Sequence, residues 1–201
     1  MSSSRSLAEN AAIAIRAEDV PQFRMAQLLF VLSTARELSL ELDLEQVAVV
    51  EFLAANPFLV LPDRTRAANE LRLRGFSRHS ISYASPGQRY VSRRERVASD
   101  IAQLVSFGLS VVAARGGRRV IEVTTTGLSL AEEFSSVYAD AYRASVREVL
   151  PVVTKLSSTK LQASLEDWLR IDPVLFDLFD APTVEELVST TAPFDTLHTL
   201  F

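Results

Sequence analysis

Ser110-Val-Val-Ala-Ala-Arg115-Gly-Gly-Arg118-Arg-Val-Ile-Glu-Val123 is the stretch that decides how the rest of the chain is read. Two β-rich runs meet at two consecutive glycines, the chemistry of a tight two-residue hairpin. Such a turn sets Arg115 directly across from Arg118, and like charges facing each other on a hairpin are destabilising. A chain that keeps this pair at a loop tip either leaves both groups solvated or offers them to an anion. The second option suits a wing that runs along a phosphate backbone or enters a minor groove; the alternative is that the tip arginines merely aid solubility.

Working outward, Ser85-Pro86-Gly87 marks a turn, and Ser92-Arg-Arg-Glu95 has the form of a capping box. A helix is therefore expected from near Arg93, with Val97, Ile101, Leu104 and Val105 as its core stripe and Gly108 as its stop. On that helix Arg93, Arg96, Asp100 and Gln103 share a second face, rich in donors, with Gln88 and Arg89 in the turn before it. Further upstream, Pro21 opens a helix on which Phe23, Ala26, Leu29, Phe30, Ala35 and Leu38 recur at helical spacing. Leu28, Val31 and Leu32 widen its apolar face until burial on several sides is implied. Asp43 offers an N-cap to a second helix that ends at Asn56-Pro57, and Thr65–Arg74 reads as a short basic helix closed by Gly75.

Downstream of the hairpin, Thr126-Gly127 leads into one long helix that Pro151 kinks or ends. Ser157 and Ser158 restart a helix to about Arg170. In the tail only Thr183–Ser189 looks helical. Helix, helix, inserted segment, helix, hairpin and long helix is the order of a winged helix-turn-helix, with the third helix presented outward and the hairpin as wing. The expected architecture is thus mainly α with a small β-hairpin: a lead-in over 1–20, a winged-helix domain over 21–127 with a basic insertion at 57–90, C-terminal helices over 128–171, and an acidic, apolar tail over 172–201.

Charge sharpens the picture. Residues 61–120 hold twelve arginines, no lysine and four acids, a balance of +8 within a chain whose net charge is −4. A cationic surface of that size concentrates polyanions, nucleic acid above all, and arginine favours two-pronged contact with phosphate. Arg89, Arg93, Arg96, Arg115, Arg118 and Arg119 are the expected DNA-facing residues, contacting backbone without reading base sequence. The competing possibility is a set of faces paired with the chain's own acids.

The chain has no cysteine and only two histidines, His79 and His198. Thiolate metal sites and disulfides are excluded, and no metal cluster, Walker loop or dinucleotide motif is present. Acid pairs such as Glu132-Glu133 and Glu185-Glu186 fit helix starts or exposed faces better than catalysis. No enzymatic activity and no cofactor are expected. The N-terminal residues lack an apolar signal region, and Met25–Ala35 is too short to span a bilayer, so a cytoplasmic protein without membrane contact is expected.

The block Ile81-Ser-Tyr-Ala-Ser-Pro-Gly-Gln-Arg-Tyr-Val-Ser-Arg-Arg-Glu-Arg96 and Asp100-Ile-Ala-Gln-Leu-Val-Ser-Phe-Gly-Leu109 carry a resemblance, together with Val49-Val-Glu-Phe-Leu53 and Val123-Thr-Thr-Thr-Gly127. Over about residues 20–170 the chain resembles the middle component of bacterial ABC-three-component systems and is similar to the small accessory subunit of Lamassu-type anti-phage complexes. The resemblance implies a non-catalytic adaptor between an SMC-like or Rad50-like ATPase and an effector such as a nuclease, in a complex that senses foreign double-stranded DNA. Trp168, Leu169, Phe176, Leu178 and Phe179 would then be anchors for another subunit, the alternative being that they pack on this chain's own core. Two other readings stay open: a free-standing, dimeric winged-helix transcriptional regulator, and a protein–protein adaptor whose basic surface meets an acidic partner.

Overall fold

A computed structural model describes residues 17–77 and 85–169. Among them a short 3-10 turn at Ala17–Asp19 precedes α1 (Pro21–Glu37) and α2 (Leu44–Ala55). A second 3-10 turn, Pro57–Leu59, leads to α3 (Arg66–Leu73), then α4 (Pro86–Ser106), β1 (Ser110–Arg115), β2 (Arg118–Val123), α5 (Thr125–Glu133), α6 (Val137–Thr154) and α7 (Ser158–Leu169). The architecture is mainly helical with one two-stranded antiparallel sheet, a layout compatible with a winged helix.

α1 is the hub. Leu28, Leu29, Phe30, Val31 and Leu32 are all buried, so no face of its middle turns meets water. A helix apolar all round needs neighbours all round, and α1 touches α2, α4, α5, α6 and β2. The same core takes Val97, Ile101 and Leu104 from α4, Ile121 and Val123 from β2, Tyr142, Val146 and Val149 from α6, and Leu161, Leu165 and Leu169 from α7. A satellite cluster of Phe58, Ala68 and Leu71, with Ala144 beside it, seats α3 on α6.

The caps follow local chemistry. Asp43 and Gln46 form a reciprocal box at α2, and Thr65 accepts from the Ala68 amide at α3. Gly75 closes α3 at φ +95°, and Gly108 stops α4 at φ +68°. The start of α4 differs from the sequence expectation. Ser85 and Gln88 make the box, seven residues before Ser92, with the Gln88 amide 3.2 Å from the Ser85 hydroxyl. Pro86 opens the first turn, where its lack of an N–H costs nothing. Ser92 then lies mid-helix, and its hydroxyl accepts from Arg96 at 2.9 Å.

The expected long helix after Gly127 is two helices. Phe134 takes an extended backbone, and Ser136 caps a new helix by accepting from the Ala139 amide. Pro151 sits inside α6 without ending it.

The hairpin has the register that its two glycines predict: Ser110↔Val123 through Arg115↔Arg118, with Gly116 and Gly117 both at positive φ. At its root the Thr124 amide donates to the Leu109 carbonyl, and the Thr124 hydroxyl donates to the Gly108 carbonyl. Gly127, in the first turn of α5, lies against that root. A Cβ there would stand 2.1 Å from the Leu109 carbonyl oxygen and 2.8 Å from Val123 Cγ2, so only hydrogen fits. On its far side β2 is closed by Leu42, whose carbonyl accepts from the Ile121 amide at 2.8 Å.

Candidate nucleic-acid interface

The six arginines expected to form one cationic surface divide into two groups. α4 carries the first. It lies between α1 and α2, and the stripe through Val97, Ile101 and Leu104 enters the core. The face expected to point outward with its donors turns instead onto α1. Arg93 donates to Glu51 at 2.9 Å and to the Gln27 side chain at 3.0 Å, and its own side chain is 13% exposed. Two turns on, Asp100 is buried and receives both arms of Arg24, at 2.7 and 2.8 Å. Arg96 reaches Asp19 at 3.3 Å. Arg93, expected to face DNA, is enclosed instead, whereas the Arg96 side chain keeps 40% of its surface exposed. They join α4 to α1, to α2 and to the turn before α1.

This contact is an ionic layer rather than an apolar one. Arg24, Arg89, Arg93 and Arg96 interleave with Glu18, Asp19, Glu51 and Asp100. Around it the Gln27 amide donates to the Tyr138 hydroxyl at 2.7 Å, and the Tyr142 hydroxyl donates to the Glu51 carbonyl at 2.9 Å. Burial pushes the Glu51 carboxyl above the ordinary glutamate value, with the Arg93 charge opposing that push. Burial also raises Tyr138, to about 12. Arg89 is half-buried, its Nε is enclosed without a hydrogen-bond partner, and burial lowers its guanidinium from the usual value.

The hairpin carries the second group. Arg115 is exposed but folds back along its own face of the ribbon to Glu122, with Nε 2.9 Å from the carboxylate. Glu122 pairs with Val111, four steps down the ladder from Arg115↔Arg118, so the arginine reaches past the Ala113↔Val120 pair on the same face. The opposition of Arg115 and Arg118 is relieved in this way. Arg118 and Arg119 remain exposed, and neither meets an acid among the described residues. Alternation along β2 places them on opposite faces of the tip.

Once its arginines are accounted for, the outward side of α4 is close to neutral. Arg94, Glu95, Ala98, Ser99, Ala102 and Val105 are exposed, and Arg94 is already held by Glu45 at 2.9 Å. Next to α2 this side opens into a groove of about 700 Å³, lined by Leu44, Glu45, Ala48, Val91, Glu95 and Ala98 among others. Sequence reasoning missed the groove. Leu44, apolar in the first turn of α2, stays 41% exposed at its rim.

Of the expected partner anchors, Leu169 is 8% exposed and belongs to the chain's own core, as the spacing Leu161, Leu165, Leu169 requires of one helix face. That corrects its assignment to a partner. Trp168 is partly buried and packs on the same core. Phe176, Leu178 and Phe179 lie outside the described residues, as do His79, His198, most of the lead-in and the helix expected at Thr183–Ser189. No described helix is long and apolar enough to cross a membrane. Comparison with protein-family models, curated proteins and solved structures returns no match.

Proposed function

We propose that this chain is a non-catalytic winged-helix accessory subunit that touches DNA through its wing tip rather than through its third helix. The observation that carries the reading is the pair Arg118 and Arg119, exposed beyond a glycine turn, on opposite faces of the ribbon, with no acid of the described chain beside them. A ribbon entering a minor groove presents one guanidinium to each phosphate wall. Such contacts give affinity and register, without sequence specificity. In this reading the groove between α2 and α4 and the neutral outer side of α4 face protein. The resemblance read in the sequence implies an SMC-like or Rad50-like ATPase and an effector such as a nuclease as its partners, in anti-phage defence.

The test is a salt titration of binding to random-sequence duplex, followed by fluorescence anisotropy, for the wild type and for Arg118→Ala/Arg119→Ala. Loss of two phosphate contacts weakens binding on every duplex and flattens the log–log salt slope by up to about two units. An unchanged slope rejects wing contact. A second reading, a protein–protein adaptor, is favoured by the internal ion pairs of Arg93, Arg96 and Arg115. Under it, neither the isolated chain nor its assembly with the ATPase changes DNA affinity when the tip is replaced.

A further inference from the structure

We infer that two copies of this chain associate by pairing their β1 strands edge to edge, a contact independent of the DNA reading. The sheet has one open side. β2 is flanked by β1 and by the Leu42 carbonyl, whereas among the described residues no strand lies beyond β1. The phase of the ladder fixes which backbone groups are free. Thr124 bonds Leu109, so the odd-numbered residues Val111, Ala113 and Arg115 pair inward with β2. Val112 and Ala114 therefore turn their N–H and C=O groups outward.

Both side chains at those positions are exposed, Val112 by 52%, and Val111 and Phe107 nearby are exposed by 43% and 63%. Edge strands left unpaired are ordinarily guarded by an inward charge, a proline or a bulge. β1 contains none of these: its one charge, Arg115, is drawn back to Glu122. An antiparallel mate suits this edge in one register, with a two-fold axis at Ala113. Val112 then bonds Ala114 of the second copy and Ala114 bonds its Val112, giving a four-stranded sheet. Arg115 faces Val111 of the other copy, so no like charges are opposed. The two basic tips point away from each other, about 24 Å apart at the usual rise per strand residue. The two-fold arrangement is isologous, as closed dimers require.

Sedimentation velocity of the full chain over a range of concentrations should show a monomer–dimer equilibrium. Ala114→Pro removes only an outward N–H, and Val112→Lys places a charge in the seam; both are expected to be monomeric, with an unchanged far-ultraviolet circular dichroism spectrum and a thermal midpoint that no longer depends on concentration. A chain that stays monomeric at every concentration overturns the inference, and so does a dimer that survives both substitutions. An independent readout uses the absence of native cysteine. Ala113→Cys lies on the axis as a non-hydrogen-bonded pair, with Cα atoms about 4.5 Å apart, within disulfide reach. It should oxidise to a covalent dimer, whereas Arg119→Cys at the far tip should not. Equal crosslinking of the two sites would sink the proposed register.

Discussion

Arginines of α4 and arginines of the hairpin have the same chemistry and opposite fates. Arg93 is enclosed by three helices and held by Glu51, while Arg118 stands at the end of a ribbon with water around it. The difference lies in what else each element must bury. α4 has an apolar stripe to satisfy, and in burying it between α1 and α2 it brings the adjoining arginine face against α1. A two-residue hairpin tip has no such obligation. Positive charge in a sequence therefore measures a surface only where the backbone has nothing to pack.

The largest test of this contrast is Arg93→Ala. Removing one partner of a buried pair leaves Glu51 uncompensated and costs about 3–5 kcal/mol, read as a shift in the denaturant midpoint. Arg118→Ala, by comparison, should leave that midpoint in place. If both substitutions behave alike, the division between the two groups is wrong. Next in size is Gly127→Ala, where the added methyl meets the Leu109 carbonyl; about 1–3 kcal/mol is expected, with near-ultraviolet circular dichroism reporting whether the hairpin stays docked.

A pH series sharpens the α4 side. The folded Glu51 carboxyl titrates above its unfolded value of about 4.3. Its protonated form is thus favoured by folding, and this contribution is complete below the unfolded value and is lost as pH rises through the folded one. Subtracting the stability of Glu51→Gln from that of the wild type should give a difference that falls with rising pH across that window. A flat difference would mean that Arg93 offsets burial completely. Smallest of all is Glu122→Gln: it frees Arg115 from the ribbon face, leaves stability almost unchanged and, under the wing reading, tightens DNA binding slightly.

Much of this fold was legible in the sequence. Gly116-Gly117 fixed a hairpin and its register, Asp43 fixed the start of α2, and the apolar run about Phe30 required a central helix. The start of α4 was misread because two serine-led boxes compete within eight residues, and Pro86 decides in favour of the first. The fate of the α4 arginines was not legible, since a helix with an apolar stripe and a polar stripe does not reveal which neighbour covers its flank. A clue existed in α1. Arg24 and Gln27 lie in its N-terminal half among residues that become buried, and polar groups at that depth need partners there. Those partners are Asp100 and Arg93.

The root of the hairpin has a mechanical consequence. Two hydrogen bonds from Thr124 and the methylene of Gly127 against a carbonyl leave no pivot between ribbon and body. Force applied at the arginine tip is delivered to the ends of α4 and α5 as torque, so a load on the ribbon is also a load on the frame of the molecule.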